Sequence, residues 1–303
     1  MWGAAGGREG GEGRGTGAGA VSWLLRLAVF GHALGLALTV FQLRQTQFGN
    51  LLFLGLFGEL WEVDDPYLAA VFTERVTVSL FLLGAVISLF RPLVLVLVGL
   101  AAYAFAEAFA GVYGGGYHFS EWTIMAHALR WGTPLALVLL VVGRGRARGW
   151  VVASIVLMRA LIAVVFVAHG WQALQADPRF IDLILGTAVK LIELRPTEEA
   201  VVGALQAIAV VDFIVAIGVL FFPMRRRLGE EGVPEWGARV FGVAGCGLCL
   251  WLSAWGLVTA LSRMTSLGIP SGLAEYPEVL MRASHVLVPI ALWLLVCPGR
   301  LKS

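Results

Sequence analysis

The sequence predicts an all-α integral membrane protein with eight transmembrane helices arranged as two tandem four-helix bundles. Three observations predict it. The chain is 59% hydrophobic and only 14% charged over 303 residues, with a mean hydropathy of +0.84. Its apolar stretches have membrane-crossing length. Their basic flanks alternate from one side to the other.

Composition settles the class. A soluble domain runs nearer ~45–50% apolar and ~25% charged, and it needs polar residues to cover its outside. Twenty acids and 22 bases cannot supply that cover here. A soluble enzyme, a disordered chain and a disulfide scaffold are therefore excluded. Net charge is +2 and no basic stripe appears, so no nucleic-acid partner is expected. The three cysteines, Cys246, Cys249 and Cys297, all lie in apolar segments, and an odd number there is not a disulfide framework.

Residues 1–20 are Gly-rich and carry Arg8, Glu9, Glu12 and Arg14, so they read as a disordered tail. The apolar run after them is membrane-length and lacks a cleavage site, which argues against a signal peptide. A bilayer core of about 30 Å needs about 20 apolar residues per helix. Eight segments qualify: 21–41, 67–90, 92–113, 123–143, 150–174, 200–222, 239–262 and 279–297. The second is interrupted by Glu74 and Arg75, whereas the seventh carries no charge from Val240 to Ser262. Helices follow from these lengths and from the need to satisfy every backbone group internally. Two amphipathic stretches, Phe48–Trp61 and Phe180–Leu194, suit helices lying in the outer interface. Trp23, Trp61, Trp122, Trp150 and Trp171 form an aromatic belt.

Orientation follows from the loops. With the N-terminus inside, the inner side receives Arg91, then Arg144, Arg146 and Arg148, then Arg225, Arg226 and Arg227, then Arg300 and Lys302. The outer side receives Glu59, Glu62, Asp64 and Asp65, then His118 and Glu121, then a mixed loop, then Glu275 and Glu278. The expected location is a bacterial-type inner membrane, multi-pass, with both termini cytoplasmic.

The chain also reads as an internal repeat, with a first unit over 21–143 and a second over 144–303. Each unit opens with an arginine in its first helix, Arg26 and Arg159. Each then has an amphipathic outer segment, and a second helix ending beside a proline, Pro92 and Pro223. The arginine-to-proline spacings are 66 and 64 residues. The fourth helices read Arg130-Trp-Gly-Thr-Pro134 and His285-Val-Leu-Val-Pro289.

The stretch from Met158 and Arg159 to His169-Gly170-Trp-Gln, followed by Pro178-Arg-Phe-Ile-Asp, resembles the DoxX-like membrane proteins. Asp212 stands where that family often has a Glu. The resemblance covers the second unit better than the first, which has Arg26 and His32-Ala33 but no His-Gly. It implies a four-helix membrane bundle and a link to quinone-coupled sulfur oxidation or oxidative-stress systems. A tandem eight-helix chain departs from the family's single unit.

Ionisable groups at membrane depth cost roughly 2.5–3.5 kcal/mol each on insertion scales, so each needs a reason. Arg159 and Asp212 fall at matching depths in adjacent antiparallel helices, which predicts a structural salt bridge, with a proton-relay or ligand role for Asp212 as the alternative. Glu107 and Arg130 are expected to pair likewise in the first unit. Arg26 is expected to snorkel to the inner face and Arg282 to the outer one, an anionic group at Arg282 being the alternative. His32, His127, His169 and His285 have two readings. Neutral imidazoles suit quinone carbonyls or haem iron, and they equally donate to a carbonyl and join two helices. The expected site lies between the fifth and eighth helices, with His169 and His285 on a ring carbonyl or iron, Arg282 on negative charge and 179–194 closing the mouth. No His-x-x-His or Glu-x-x-His pair occurs, so no dinuclear metal centre is expected. Cys246-Gly-Leu-Cys249 has the spacing of a thiol pair, but depth in hydrocarbon favours packing over redox work.

Three function classes compete. One is a redox-linked accessory protein or subunit holding a quinone or haem b. The second is a non-catalytic subunit binding other membrane proteins. The third is a small-solute transporter, disfavoured because no helix looks broken by Gly and Pro in both halves. Phosphate loops, nucleophile elbows and His-Glu-x-x-His are absent.

Overall fold

The computed structural model describes residues 15–42, 46–61, 63–113, 120–143, 149–221, 235–267 and 274–296. Expectations placed on residues 1–14, Glu62, His118, Arg144, Arg146, Arg148, Phe222, Pro223, Arg225, Arg226, Arg227, Cys297, Arg300 and Lys302 lie outside the described residues.

Every regular element among the described residues is helical. Helix α1 spans Gly15–Phe41, and α2, Gln47–Leu51, runs into a π-helical stretch at Leu52–Leu60. Helices α3 (Pro66–Phe90) and α4 (Val94–Tyr113) follow. A short 3₁₀ turn then leads into α5 (Thr123–Ala126) and α6 (Ala128–Val142). The second half holds α7 (Gly149–Leu174), α8 (Pro178–Ile192), α9 (Glu198–Phe221), α10 (Glu235–Leu267), α11 (Tyr276–Met281) and α12 (Ala283–Val296).

Seven of the described helical segments are long and apolar enough to cross a membrane; α6 is apolar but shorter. Their outer faces carry large apolar side chains such as Phe72, Leu80, Phe90, Leu95, Ile214 and Ile217. In water such a surface would be untenable, whereas lipid is its natural solvent. The protein is therefore polytopic and sits in a bilayer.

Packing joins the two halves more closely than tandem bundles would require. Helix α1 lies against α3 and, equally closely, against α11 and α12; α7 lies against α9 and also α6. One apolar core runs through both halves, from Val21 and Leu25 through Leu137 and Met158 to Leu292. The predicted units thus do not stand apart as separate bundles. Small residues let the chain cross this seam. A Cβ at Gly35 would lie 2.5 Å from the Pro277 carbonyl oxygen and 2.6 Å from the Met281 nitrogen, so α1 touches α11 backbone to backbone.

The two arginines that open the predicted repeat have the same job. Arg26 Nη1 donates to the Leu89 carbonyl at 2.8 Å, and Arg159 Nε donates to the Val219 carbonyl. Both carbonyls sit in the last turn of a neighbouring helix, where oxygens lack an intrahelical partner. Arg26 also lies over the Trp23 ring, 5.1 Å from its centre. Snorkelling is therefore not what holds Arg26; it closes the end of α3.

A second correction concerns helix continuity. Both fourth helices are interrupted, and at the same place. His127 stands between α5 and α6 with φ −97° and ψ 10°. Arg282 stands between α11 and α12 with φ −94° and ψ 10°. Each break falls seven residues before a helix-interior proline, Pro134 and Pro289. Proline removes one backbone donor and crowds the preceding turn, so the chain tightens there. At the breaks Arg130 N–H bonds to the His127 carbonyl at 2.8 Å and His285 N–H to the Arg282 carbonyl at 2.9 Å.

Candidate functional site

The site is built where α8 lies across the ends of α9 and α10. Helix α8 starts at a self-contained cap. Asp177 is buried, and its Oδ1 accepts from Arg179 N–H at 2.9 Å, while Pro178 has no N–H to satisfy. The Arg179 guanidinium closes on the same carboxylate at 2.6 Å. At the far end Glu193 adopts φ 56°, and Leu194 N–H returns to the Ala188 carbonyl at 2.9 Å. The helix then docks on α10. A Cβ at Gly186 would lie 2.7 Å from the Ser266 carbonyl oxygen, and the hydroxyls of Thr187 and Thr265 are 3.1 Å apart.

One face of α10 stitches α12 in place. Ser253 Oγ donates to the Val286 carbonyl at 2.9 Å, and Arg282 Nη1 donates to the Thr259 carbonyl at 2.6 Å. Between them Gly256 meets the His285 backbone carbonyl, leaving no room for a side chain. That contact sets His285 beside α7 and α6.

Under α8 these helices enclose a cavity of about 420 Å³. Its walls are mainly apolar, with Ile162, Phe166, Phe180, Leu205, Leu252 and Trp255 among them. Six ionisable side chains also face it: His127, Arg130, His169, Asp212, Arg282 and His285. Five of their buried atoms have no hydrogen-bond partner among the described residues. They are the Nδ1 atoms of His127, His169 and His285, Arg130 Nε and Asp212 Oδ1. The His169 ring packs against Phe180 of α8, centroids 5.8 Å apart.

The expected location between the fifth and eighth predicted helices therefore coincides with a cavity, and 179–194 covers it. Other expectations are corrected. His32 is not on the cavity: its Nδ1 bonds to the Met281 carbonyl at 3.2 Å and its ring meets Phe81 edge-on, so it joins α1 to α11. The structure does not bring Arg159 and Asp212 together. Arg159 lies level with Val219, whereas the Gly170 backbone faces Asp212. The helices are offset, which counting from estimated ends could not reveal. Glu107 and Arg130 do not pair either. Glu107 accepts the backbone N–H groups of Gln47 at 3.2 Å and Phe48 at 3.0 Å, and Arg130 turns to the cavity. Cys249 is a buried free thiol while Cys246 is disulfide-bonded, so these two do not bond with each other.

No family model, curated protein or solved structure matches the chain. The site's own chemistry must carry the reading.

That chemistry is hydrogen bonding in a dry place. Imidazoles and a guanidinium offer N–H donors to oxygens of a guest, and apolar walls enclose its carbon skeleton. Among the described residues no three His, Cys, Asp or Glu side chains come together as a metal-ion site. Sequence reasoning missed Arg130 as a cavity residue by pairing it with Glu107, and held a ligand role for Asp212 only as the alternative to a salt bridge. A signal was present: His127-x-x-Arg130 and Arg282-x-x-His285 stand at the same distances before Pro134 and Pro289, with the residue types exchanged.

Proposed function

We propose that this protein holds a lipid-soluble ring compound bearing carbonyl oxygens, of the quinone type, in the cavity under α8, as a redox-linked membrane protein. The observation that carries this reading is the set of five unpartnered buried polar atoms around an apolar cavity. Burying a polar group without a partner costs roughly 1–3 kcal/mol in proteins, so a guest that supplies partners is favoured. The cavity size falls in the range of small-molecule pockets. Access from lipid is supported by Ile192 and Val258, which line the cavity yet are 64% and 55% exposed on the membrane-facing surface. Helices α9 and α10 are nearly out of contact there. The resemblance of the His169 region to DoxX-like proteins points the same way.

The finer architecture belongs to the same reading. Eight spans, with α5 and α6 together forming the fourth, and a repeat of 21–143 in 144–303 account for the twin arginine caps and twin helix breaks. Cytoplasmic termini in an inner membrane follow from the basic loops, and other membrane subunits are expected partners.

The test is a spectrum and solvent extraction of protein purified in mild detergent. A quinone present near one per chain, and lost in His169→Ala and His285→Ala, is the expected result. A Soret band would move the reading to haem b. Neither pigment nor quinone, in protein that keeps its fold, would overturn it. The twin breaks at His127 and Arg282 favour a second reading, a carrier, since interrupted helices often line transport sites. Ligand exchange across reconstituted vesicles distinguishes a carrier from a holder.

A further inference from the structure

Arg130 carries a charge that a neutral quinone leaves uncompensated. Its Nε is buried without a partner, and it makes no ion pair among the described residues. The acids near it, Glu278 and Glu107, make no salt bridge with it. The Glu107 carboxylate is taken by the amides of Gln47 and Phe48. Asp212 lines the same cavity without reaching a salt bridge, and Glu278 lies a turn before Arg282 on α11. The second guanidinium, Arg282, is held by the Thr259 carbonyl, which neutralises no charge. The cavity wall itself therefore holds two guanidiniums and one carboxylate, with Glu278 behind the wall close enough to act on both arginines.

We infer that the cavity selects an anion: its ligand carries an ionised oxygen, bound by Arg130, on an apolar ring or chain. A buried guanidinium in a dry site is best held by a charge in direct contact, and an ionised oxygen in the cavity gives Arg130 the close partner that Glu278 and Glu107 do not. The three imidazoles then hold the remaining oxygens of the same guest. This rests on the reading that the cavity takes a lipid-soluble ligand, and adds its charge.

The experiment uses two probes of matched shape, a 2-hydroxy-3-alkyl-1,4-naphthoquinone, ionised at neutral pH, and its O-methyl ether, which is neutral. Binding of each to the full-length protein in lipid nanodiscs is measured by tryptophan quenching. The ionised probe is expected to bind about ten- to a hundredfold more tightly than the ether, the span of one hydrogen bond to a charged group. Arg130→Gln removes that preference, bringing the two affinities together, while Arg130→Lys keeps part of it. Comparison of the two probes on unaltered protein stands even if a variant does not fold. Equal binding of the two probes overturns the inference and leaves the ligand reading intact. Binding of neither, with no binding of a long-chain fatty acid, overturns both. A long-chain fatty acid serves as a third probe; if it binds while both naphthoquinones fail, the charge inference holds and the ring reading falls.

Discussion

The two halves of the molecule cover their membrane-embedded acids in opposite ways. In the first half the roofing segment is plugged into the helices below it. Glu74 accepts the N–H of Thr46 at 3.2 Å and its hydroxyl as well, and Glu107 accepts the next two backbone donors. Phe48 then stacks edge-on against Tyr103, centroids 5.3 Å apart, and Tyr103 meets Phe81 at 4.7 Å. The space is filled by the chain itself. In the second half α8 carries its own cap in Pro178 and Asp177, so its first N–H groups need nothing from below. Asp212 is left facing a cavity. The difference shows that a buried carboxylate becomes structural when a neighbouring helix start has backbone donors its own cap does not reach, as Thr46 reaches only Gly49, and stays available when the start is self-sufficient.

Four measurements break or sharpen that comparison. The largest effect is expected from Glu107→Ala, which strands two backbone donors and should cost about 2–6 kcal/mol, at roughly 1–3 per buried group. Thermal unfolding in detergent reads it as a clear loss of melting temperature; a variant as stable as the parent would show that the plug does not hold the first half. Arg26→Ala and Arg159→Ala come next. Each removes a charged donor from a helix-end carbonyl and should lower stability by about 1.5–3 kcal/mol. The two losses should match, and a large loss for only one would break the parallel between the halves. Gly256→Ala places a methyl against the His285 carbonyl and should cost about 1–3 kcal/mol. Gly203→Ala on α9, with open space around it, should be neutral or stabilising by up to about 1 kcal/mol. Ligand affinity should fall for the first and hold for the second. The smallest effect is expected from Asp212→Asn. Its Oδ1 has no partner to lose, so stability should stay within about 0.5 kcal/mol of the parent. A fall as deep as that of Glu107→Ala would mean that Asp212 is as structural as its counterpart.

Some of this was legible in the chain, and some was not. Segments read from hydropathy match closely: 67–90 against Pro66–Phe90, 92–113 against Val94–Tyr113, 150–174 against Gly149–Leu174. The amphipathic stretch from Phe180 became α8, which spans Pro178–Ile192. His169, His285 and Arg282 share a cavity because each falls near the same end of its helix, and depth along a helix is a matter of counting. The expected pairs failed for a reason counting cannot repair. Whether Arg159 meets Asp212 depends on the offset and rotation of α7 against α9, and side chains two turns apart cannot reach each other.

The sequence by itself therefore determined that this protein lives in lipid, roughly where most of its long helices run, and which residues stand at unusual depth. These are local properties, set by apolar run length, prolines and caps within a few residues. Only the tertiary structure decided that Arg26 and Arg159 close other helices, that Glu107 serves the roof of its own half, and that Arg130 faces a cavity shared between the halves. Each of those outcomes is fixed by how helices far apart in sequence slide and turn against one another, and that is settled by close packing of many side chains at once.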